Sequence, residues 1–329
     1  MTPLEFQFSQ FNPCPLDDVG VMDRQNIENS ESVFLKWVFK YLFTDKNGAH
    51  VHEYVFPNSY DILNCGGYID KLLKYRDPRL LEHFRSQGVN TKALQADEFP
   101  ILNHRSPQLD LIIIEIITVL LKDDPKRRIS LFDHGCTVAE HYDMLDIMLR
   151  ASSDDRLQAK DVMSYCGVDA FVLPLAAAKI MHLDAPEEHF QLISAEGSDF
   201  DLPASSFDIA LSVGVVNQVE NPLQALEKMI RLVRKAVVLA IWITSEEEGY
   251  WTVFHRGSRQ YCFSFNDLRN VKGIHTDGRF LVADFTPETE ATQTGHFVGM
   301  GKERIKKIGS YHLIYTTSDL SLDYPQLPV

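Results

Sequence analysis

The sequence predicts an α/β protein: a doubly wound, mostly parallel sheet of a seven-stranded type, with helices on both faces and a helical extension before it. Three observations lead to this prediction. Short β-branched apolar segments alternate with amphipathic helical segments between residues 106 and 245. The first apolar segment ends in an acid and a glycine, as a buried strand does where it turns into a helix. The front third lacks this alternation and shows helical spacing instead.

The composition is that of a globular protein, with 329 residues, 45% hydrophobic and 24% charged. This length allows two or three domains, or one large domain with elaborations, and we favour the second. A formal net charge of −14 argues against nucleic-acid or anionic-membrane partners, which are bound through Lys and Arg.

The cysteines and the apolar segments bear on the location of the protein. Five cysteines without a C-x-x-C pair indicate reduced thiols and no zinc site, so we expect a cytoplasmic protein. We expect no signal peptide, because the first residues contain neither a basic nor a long apolar segment. The most apolar stretch, Leu109–Leu121, contains two acids and is too short to span a bilayer, so it is predicted to be a buried helix.

The front third is expected to be a mainly helical extension over residues 1–105. Residues 1–30 are polar and proline-rich, which is typical of a loosely ordered arm. Apolar residues on one stripe predict a helix at Glu31–Phe43, and similar spacing predicts another at Tyr68–Gln87.

The region from Ser106 onward is expected to alternate between helices and strands. Ser106 and Pro107 are typical of a helix start. The predicted strands are Ile129–Phe132, Val162–Val168, His189–Ser194, Phe207–Val213 and Ala236–Ile243. The helices between them are predicted at Val138–Leu149, Val172–Met181 and Asn221–Arg234. Farther on, a helix capped by Ser264 is predicted to end at Val271, and strands at Phe280–Phe285 and Tyr311–Thr317 are predicted to close the far edge of the sheet.

The turn after the first strand is expected to approach a ligand. In open parallel sheets, ligands bind in the crevice outside the carboxyl ends of the strands. Gly135 has no Cβ, so the backbone there can take unusual angles and approach a bound molecule closely.

Four landmarks follow one another between residues 128 and 243. The first is Asp133 and Gly135 after the first strand, followed by Thr137 and Ala139 at the next alternate positions. The others are the acid-ended strand at 165–169 with the alanine-rich 176–179, the loop at 197–203, and the strand and following segment at 206–222. In this order they resemble the cofactor core of the class I S-adenosylmethionine-dependent methyltransferases, whose first motif, acid-x-Gly-x-Gly-x-Gly, has glycines where this chain has Thr137 and Ala139.

The resemblance implies S-adenosylmethionine as the cofactor and assigns eight residues to its site. They are Asp133, Gly135, Cys136, Asp169, Ala170, Ser198, Asp199 and Val213. The Asp169 carboxylate suits the two hydroxyls of a ribose, and either Ser198 or Asp199 is expected to read the adenine edge. Two alternatives remain open: Asp169 as a helix-capping residue, and Asp133 as a residue that holds its own turn together.

The acceptor side is expected to include the segment after the fifth strand. The candidate acceptor-binding residues are Asn217, Gln218, Tyr250, Trp251 and Arg256. His255 is the candidate general base, with His141 as the alternative and a purely structural histidine as the other interpretation. The dispersed histidines indicate no metal site.

The predicted function is methyl transfer to an oxygen or nitrogen of a small-molecule acceptor, with secondary metabolism as one setting. Residues 1–105 are expected to act as a lid, residues 106–245 as the donor-binding core, and residues 246–329 to complete the sheet and the acceptor site. The alternative is a non-catalytic methyltransferase-like binding subunit. A nicotinamide-dependent oxidoreductase is disfavoured because the chain lacks G-x-G-x-x-G. Whether the chain forms a homodimer is left open.

Overall fold

The computed structural model describes residues 107–327 with gaps at 138, 153–156, 171–174, 176–177, 179–181, 183–184, 196, 255–258, 273–276, 288–296 and 299. It also describes one antiparallel strand pair, Gly20–Val21 with Val55–Phe56. The chain divides into two compact units, residues 1–105 with 171–183 and residues 106–170 with 184–329. The predicted helices Glu31–Phe43 and Tyr68–Gln87, and most of Val172–Met181, lie outside the described residues.

Five parallel strands form the centre of the sheet in the second unit. They are β1 (Ile129–His134), β2 (Met163–Asp169), β3 (Phe190–Ser194), β4 (Phe207–Val213) and β5 (Val233–Thr244). Their order is β3-β2-β1-β4-β5, so the chain builds outward from β1 on one side and then crosses to the other. The switch between the two halves lies between β1 and β4, where ligands bind in such sheets.

Two long strands complete the far edge as predicted. They are β8 (Arg279–Pro287) and β10 (Ile308–Thr316). Strand β10 is antiparallel to β5, and β8 pairs with β10, which gives the order β3-β2-β1-β4-β5-β10-β8. The predicted fold class is therefore confirmed as a mostly parallel, doubly wound sheet of seven strands.

Three further strands form a ribbon that the sequence analysis did not predict. They are β6 (Tyr250–Phe254), β7 (Arg259–Ser264) and β9 (Phe297–Val298). Strand β7 runs parallel to the end of β5, β6 pairs with β7, and β9 pairs with β6. Aromatic and β-branched residues in β6 carry the usual strand signal, so the missed ribbon had a local signature.

Six described helices accompany these strands. They are α1 (Pro107–Asp123), α2 (Glu140–Ser152), α3 (Ala159–Val162), α4 (Pro222–Leu232), α5 (Phe265–Lys272) and α6 (Lys302–Ile305). Helix α1 packs against α2 and β5, and most of its apolar side chains are buried, as predicted for this stretch, although Leu111 is exposed. None of the described helices has both the length and the apolar character needed to cross a membrane.

The predicted end of α4 at Arg234 was wrong, because the chain enters β5 at Val233. Val233 is buried and pairs with Phe207, and the Arg234 guanidinium donates to Asp208 on β4 at 2.9 Å. The predicted start of α5 is confirmed. The Ser264 hydroxyl accepts the N–H of Asp267 at 3.1 Å, and Asp267 accepts the N–H of Ser264 at 2.8 Å, which is a reciprocal cap.

Asp208 joins three neighbouring strands at the amino end of the sheet. Its buried carboxylate accepts from Arg127, from Arg234, and from the N–H and hydroxyl of Ser130 on β1. Burial by itself raises the pKa of Asp208, but these donors outweigh it and hold the pKa below its usual range. The cluster fixes the strands at one end and leaves the loops at the carboxyl end to form the site.

Candidate functional site

The loop between β1 and α2 has the backbone conformation of a glycine-rich loop, although it contains one glycine. The φ angles are positive at Gly135 (77°), Thr137 (48°) and Ala139 (61°). These are the three positions at which the family motif has glycine. L-residues pay about 1–2 kcal/mol in this region, so Thr137 and Ala139 hold strain that glycines would relieve.

Gly135 is fixed by close packing as well as by its φ angle. A Cβ at this position would lie 2.2 Å from Cγ2 of Val215, so a larger residue does not fit without movement. The N–H groups of Gly135 and Cys136 both donate to the carbonyl of Val168, at 2.7 and 3.0 Å. The loop is therefore tied to the end of β2, and the side chain that lies against Gly135 is Val215.

Relief of the strain at Thr137 gives the first testable prediction. We expect Thr137→Gly to be more stable than Thr137→Ala by about 1 kcal/mol, since only glycine removes the left-handed penalty. At an ordinary φ the order is reversed, because glycine loses more backbone entropy than alanine. Urea unfolding of the two variants measures the difference. An alanine variant as stable as the glycine variant, or more stable, contradicts the strained conformation.

Asp133 and Cys136 lie inside the protein beneath this loop. The Asp133 carboxylate is 1% exposed and accepts from the Tyr165 hydroxyl at 2.6 Å. Burial raises the pKa of Asp133 above its usual range, and His141 and Tyr165 partly oppose the shift. Burial also raises the pKa of the Cys136 thiol, so Cys136 is a neutral packing residue. These contacts tie Asp133 to Tyr165 on β2, and its role at the donor or in its own turn stays a prediction.

Asp169 lies at the end of β2, directly beside the first loop. Its carboxylate is nearly buried, and Oδ2 accepts the N–H of Thr137 at 2.9 Å. Ala170, the next residue, is partly buried. The structure thus brings together Asp169 and the strained loop, whereas the ribose contact of Asp169 stays a prediction.

The loop after β3 presents its two candidate residues differently. Ser198 is buried, and its hydroxyl donates to Oε1 of Gln224 on α4 at 3.3 Å. Its carbonyl accepts from Nζ of Lys228 at 2.5 Å. Asp199 is exposed. Ser198 therefore anchors the loop to α4, and Asp199 is the candidate whose side chain is available to a ligand.

His134 is a buried polar residue at this site that the sequence analysis did not single out. It is 3% exposed at the end of β1. Its Nε2 lies 2.8 Å from the carbonyl of Gly197, and its Nδ1 lies 3.3 Å from the Ser212 hydroxyl. Burial lowers the pKa of His134 to about 4, and the Gly197 contact only partly opposes this. The imidazole is therefore neutral at cellular pH.

This low pKa predicts a defined loss of stability in mild acid. The unfolded chain binds the proton below pH 6.5, whereas the folded chain binds it only near pH 4. Lowering the pH through this window therefore favours the unfolded state, by about 2 kcal/mol between pH 7 and pH 5. Urea unfolding at both pH values measures the loss, and His134→Gln lacks this contribution. Equal pH dependence in both proteins contradicts the low pKa.

The carboxyl end of β4 leaves open space next to the crevice. Val213 is the last residue of β4, and Gly214 follows with a φ of 67°. Among the described residues, apart from Gly214 and its two chain neighbours, no atom lies within 4 Å of the position that a Cβ would take at Gly214. This opening adjoins the first loop, because Val215 packs on Gly135.

Two of the predicted acceptor residues follow this turn, and they differ in exposure. Asn217 is fully buried, and its amide donates to the carbonyl of Tyr261 on β7 at 2.6 Å. Gln218 is exposed and donates to the carbonyl of Gly214 at 2.6 Å. Asn217 thus ties the turn to the ribbon, and the Gln218 side chain lies at the surface.

The ribbon separates the other described acceptor candidates, because successive residues of a strand point to opposite faces. Trp251 makes an edge contact with Tyr261 at 5.5 Å between ring centroids, and the Arg259 guanidinium lies 4.5 Å from the Trp251 ring. Tyr250 packs against a separate apolar cluster, with the Arg304 guanidinium 3.8 Å from its ring. Tyr250 and Trp251 therefore line different surfaces.

Of the two candidate general bases, the structure describes only His141. His255, together with Arg256, lies outside the described residues. The alternative, His141, is buried on α2, and its Nδ1 lies 2.8 Å from Oδ1 of Asp110 on α1. A histidine held in this way is part of the packing between α1 and α2.

Comparisons with known proteins point to one family. Residues 152–241 match the model of a methyltransferase domain. The matched segment spans β2, β3, β4 and most of β5, and it starts after the strained first loop. A comparison with curated proteins gives no match.

Several solved structures are similar to this chain at low identity. The N-terminal domain of EvdMO1 with S-adenosylhomocysteine bound has a TM-score of 0.44 and 11% identity, over 74% of this chain and 98% of that chain. The Burkholderia thailandensis 1,6-didemethyltoxoflavin-N1-methyltransferase has a TM-score of 0.38 and 13% identity, over 74% and 91%. The arsenic(III) S-adenosylmethionine methyltransferase CrArsM from Chlamydomonas reinhardtii has a TM-score of 0.39 and 13% identity, over 61% and 66%.

Proposed function

We propose that this chain, of which residues 152–241 match the model of a methyltransferase domain, binds S-adenosylmethionine at the carboxyl ends of β1 to β4. We propose further that it transfers the methyl group to an oxygen or nitrogen of a small-molecule acceptor. S-adenosylmethionine supplies a methyl group on a positively charged sulfur when it is bound. The protein then has to align the acceptor and, for a protonated acceptor, to take up its proton.

The observation that carries this proposal is the first loop with Asp169 beside it. Positive φ angles at residues 135, 137 and 139 reproduce the alternation of the glycine motif, although two of the glycines are replaced. The Asp169 carboxylate is held at the mouth of this loop by the N–H of Thr137, at 2.9 Å. A simple turn between β1 and α2 does not require strained backbone at residues 137 and 139, and such strain is typical of ligand-binding sites.

The donor site fits an adenosine nucleoside in its residue chemistry. We propose that the Asp169 carboxylate accepts from the ribose hydroxyls, a charge-assisted contact that orients the nucleoside. Asp199 is exposed on the loop after β3 and is proposed to read the adenine edge, with Ala170 against the ring. The open space at Gly214 gives room beside the end of β4.

The acceptor site is proposed to lie beside the ribbon. Gln218, Trp251 and Arg256 are the proposed contacts of the acceptor, and His255 is the proposed base. Residues 1–105 are proposed to act as the lid that excludes water, and residues 246–329 to complete this side.

A second candidate function is that of a methyltransferase-like subunit that catalyses nothing. Two observations favour it. Val215 fills the space beside Gly135, where the family places the donor, and Thr137 and Ala139 add side-chain atoms to the loop. A subunit of this kind is expected to use its regions outside the core to bind a partner protein.

Acceptor-dependent formation of S-adenosylhomocysteine distinguishes the two functions. The native chain is incubated with S-adenosylmethionine and panels of small phenols, amines and carboxylates, and the S-adenosylhomocysteine formed is measured. Methyl transfer predicts product above the acceptor-free control for one acceptor class, and loss of that product in Asp169→Ala. Binding of S-adenosylhomocysteine without product from any panel favours the non-catalytic subunit.

A further inference from the structure

We propose that His134 is a positioning residue for the nucleoside of the methyl donor, acting through the loop of residues 197–199. This inference rests on the proposed function, because only a bound methyl donor places an adenine base next to this loop. The geometry that points to it is one buried imidazole in contact with two segments that border the crevice, the loop after β3 and the end of β4.

The partners of His134 fix which nitrogen carries the proton. The carbonyl of Gly197 only accepts hydrogen bonds, so Nε2 must donate to it at 2.8 Å. A neutral imidazole then has an acceptor at Nδ1, which suits the Ser212 hydroxyl at 3.3 Å. The oxygen of the same hydroxyl accepts the N–H of Val216 at 3.2 Å. His134 thus connects β1, the loop after β3 and the turn after β4 through directed hydrogen bonds.

A second set of contacts holds the same loop from α4. Gln224 accepts from the Ser198 hydroxyl, and Lys228 donates to the Ser198 carbonyl at 2.5 Å. The Lys228 ammonium also lies 5.7 Å from the ring centroid of Phe200, which packs edge-on to His134 at 5.6 Å. With anchors on both sides, the backbone on either side of Asp199 is fixed while its side chain stays exposed.

A fixed backbone matters because specificity for adenine requires donors and acceptors in set positions. A loop that moves by about 1 Å still contacts a purine, but it no longer distinguishes an amino group from a carbonyl at the same ring position. Loss of the His134 contact is therefore expected to lower selectivity for adenine as well as affinity. A purely structural histidine affects stability and leaves this selectivity unchanged.

The test compares three variants of the full chain by calorimetry with S-adenosylhomocysteine and S-inosylhomocysteine. His134→Phe keeps a ring but removes both hydrogen bonds, and His134→Gln keeps an amide donor for Gly197. His189→Phe is the matched control, because Nδ1 of His189 lies 3.2 Å from the Ser164 hydroxyl near the amino ends of β3 and β2, away from the loop. Thermal unfolding of each variant is measured in parallel.

We expect His134→Phe to bind S-adenosylhomocysteine about tenfold more weakly and to lose most of its preference over the inosine analogue. His134→Gln should recover affinity to within about threefold, and His189→Phe should match the native chain. If His134→Phe does not fold, His134→Asn serves in its place, since its shorter amide does not reach Gly197.

Native affinity and native selectivity in a folded His134→Phe or His134→Asn overturn the positioning role and leave the proposed function intact. Absence of S-adenosylhomocysteine binding by the native chain overturns both proposals, so the two failures are distinguishable. Equal losses in His134→Phe and His134→Gln, with unchanged selectivity, also overturn the positioning role.

Discussion

Replacing Asp169 with alanine is expected to weaken the binding of S-adenosylmethionine and of S-adenosylhomocysteine by ten- to a hundredfold. A hydrogen bond to a charged group contributes about 1.5–3 kcal/mol, and the nearly buried carboxylate at the end of β2 is the proposed partner of the ribose hydroxyls. The donor affinity is measured by calorimetry. Asp161→Ala is the control, because Asp161 is exposed on α3, before β2 begins.

Asp169 also accepts the N–H of Thr137, so its loss in the alanine variant disturbs the first loop as well. Asp169→Asn separates the two roles. An asparagine oxygen can still accept from Thr137, but the amide offers the ribose one donor group in place of a second acceptor. The ribose role predicts that Asn and Ala are both weak binders. An Asn variant with native affinity shows that Asp169 only supports the loop.

Replacing His255 with alanine is expected to lower turnover by about 10²- to 10⁴-fold, the usual cost of losing a positioned general base. Donor affinity is expected to stay native, because His255 lies outside the donor landmarks in the sequence. The rate of the native enzyme should rise with pH through the pKa of an imidazole, near 6.5, since only the neutral form accepts a proton. Steady-state rates between pH 5 and pH 8 measure this rise in rate. The variant is expected to lack it.

His141→Ala is the matched comparison for this experiment. His141 contacts Asp110 between α1 and α2. Replacement of His141 is therefore expected to lower stability but to leave the rise of the turnover rate with pH unchanged. If His255→Ala keeps most of the turnover and the native pH profile, alignment of an already deprotonated acceptor accounts for the reaction. His255 is then a structural residue.

The fold could be predicted because its signals are local and repeated. The strand predicted at Phe207–Val213 has the observed bounds. The bounds of the other parallel strands differ from the predicted ones by a few residues. The predicted helix end at Arg234 was wrong for a tertiary reason. Arg234 has good helix propensity, but its guanidinium pairs with Asp208 on the neighbouring strand, and no local pattern contains that partner.

The candidate site could be predicted only in part, because its landmarks are local but its contacts are not. The sequence located Gly135 and Asp169 at neighbouring strand ends, and the structure brings their loops together. The positive φ at Thr137 runs against the preference of a β-branched residue, so the residue type gives no sign of it, and only the glycine position of the family motif points to it. The role of His134 depends on Gly197 and Ser212, which lie more than sixty residues away along the chain.

The difference in exposure between Ser198 and Asp199 also required the structure. The two residues are adjacent and both polar, and only the position of α4 decides which side chain is used for packing. Gln224 and Lys228 hold Ser198, which leaves Asp199 exposed. The same limit applies to the ribbon, where the alternation along β6 sends Tyr250 and Trp251 to different surfaces.

Calorimetric titration of the native 329-residue chain with S-adenosylhomocysteine tests most directly whether this chain binds S-adenosylmethionine and its demethylated product. We expect one site with a dissociation constant in the low micromolar range or tighter, equivalent to about −8 kcal/mol. Adenosine and methionine added separately are expected to bind far more weakly, since each fills one part of the site. A titration that shows no binding up to about 1 mM ligand, where the binding free energy falls to about −4 kcal/mol, contradicts the claim.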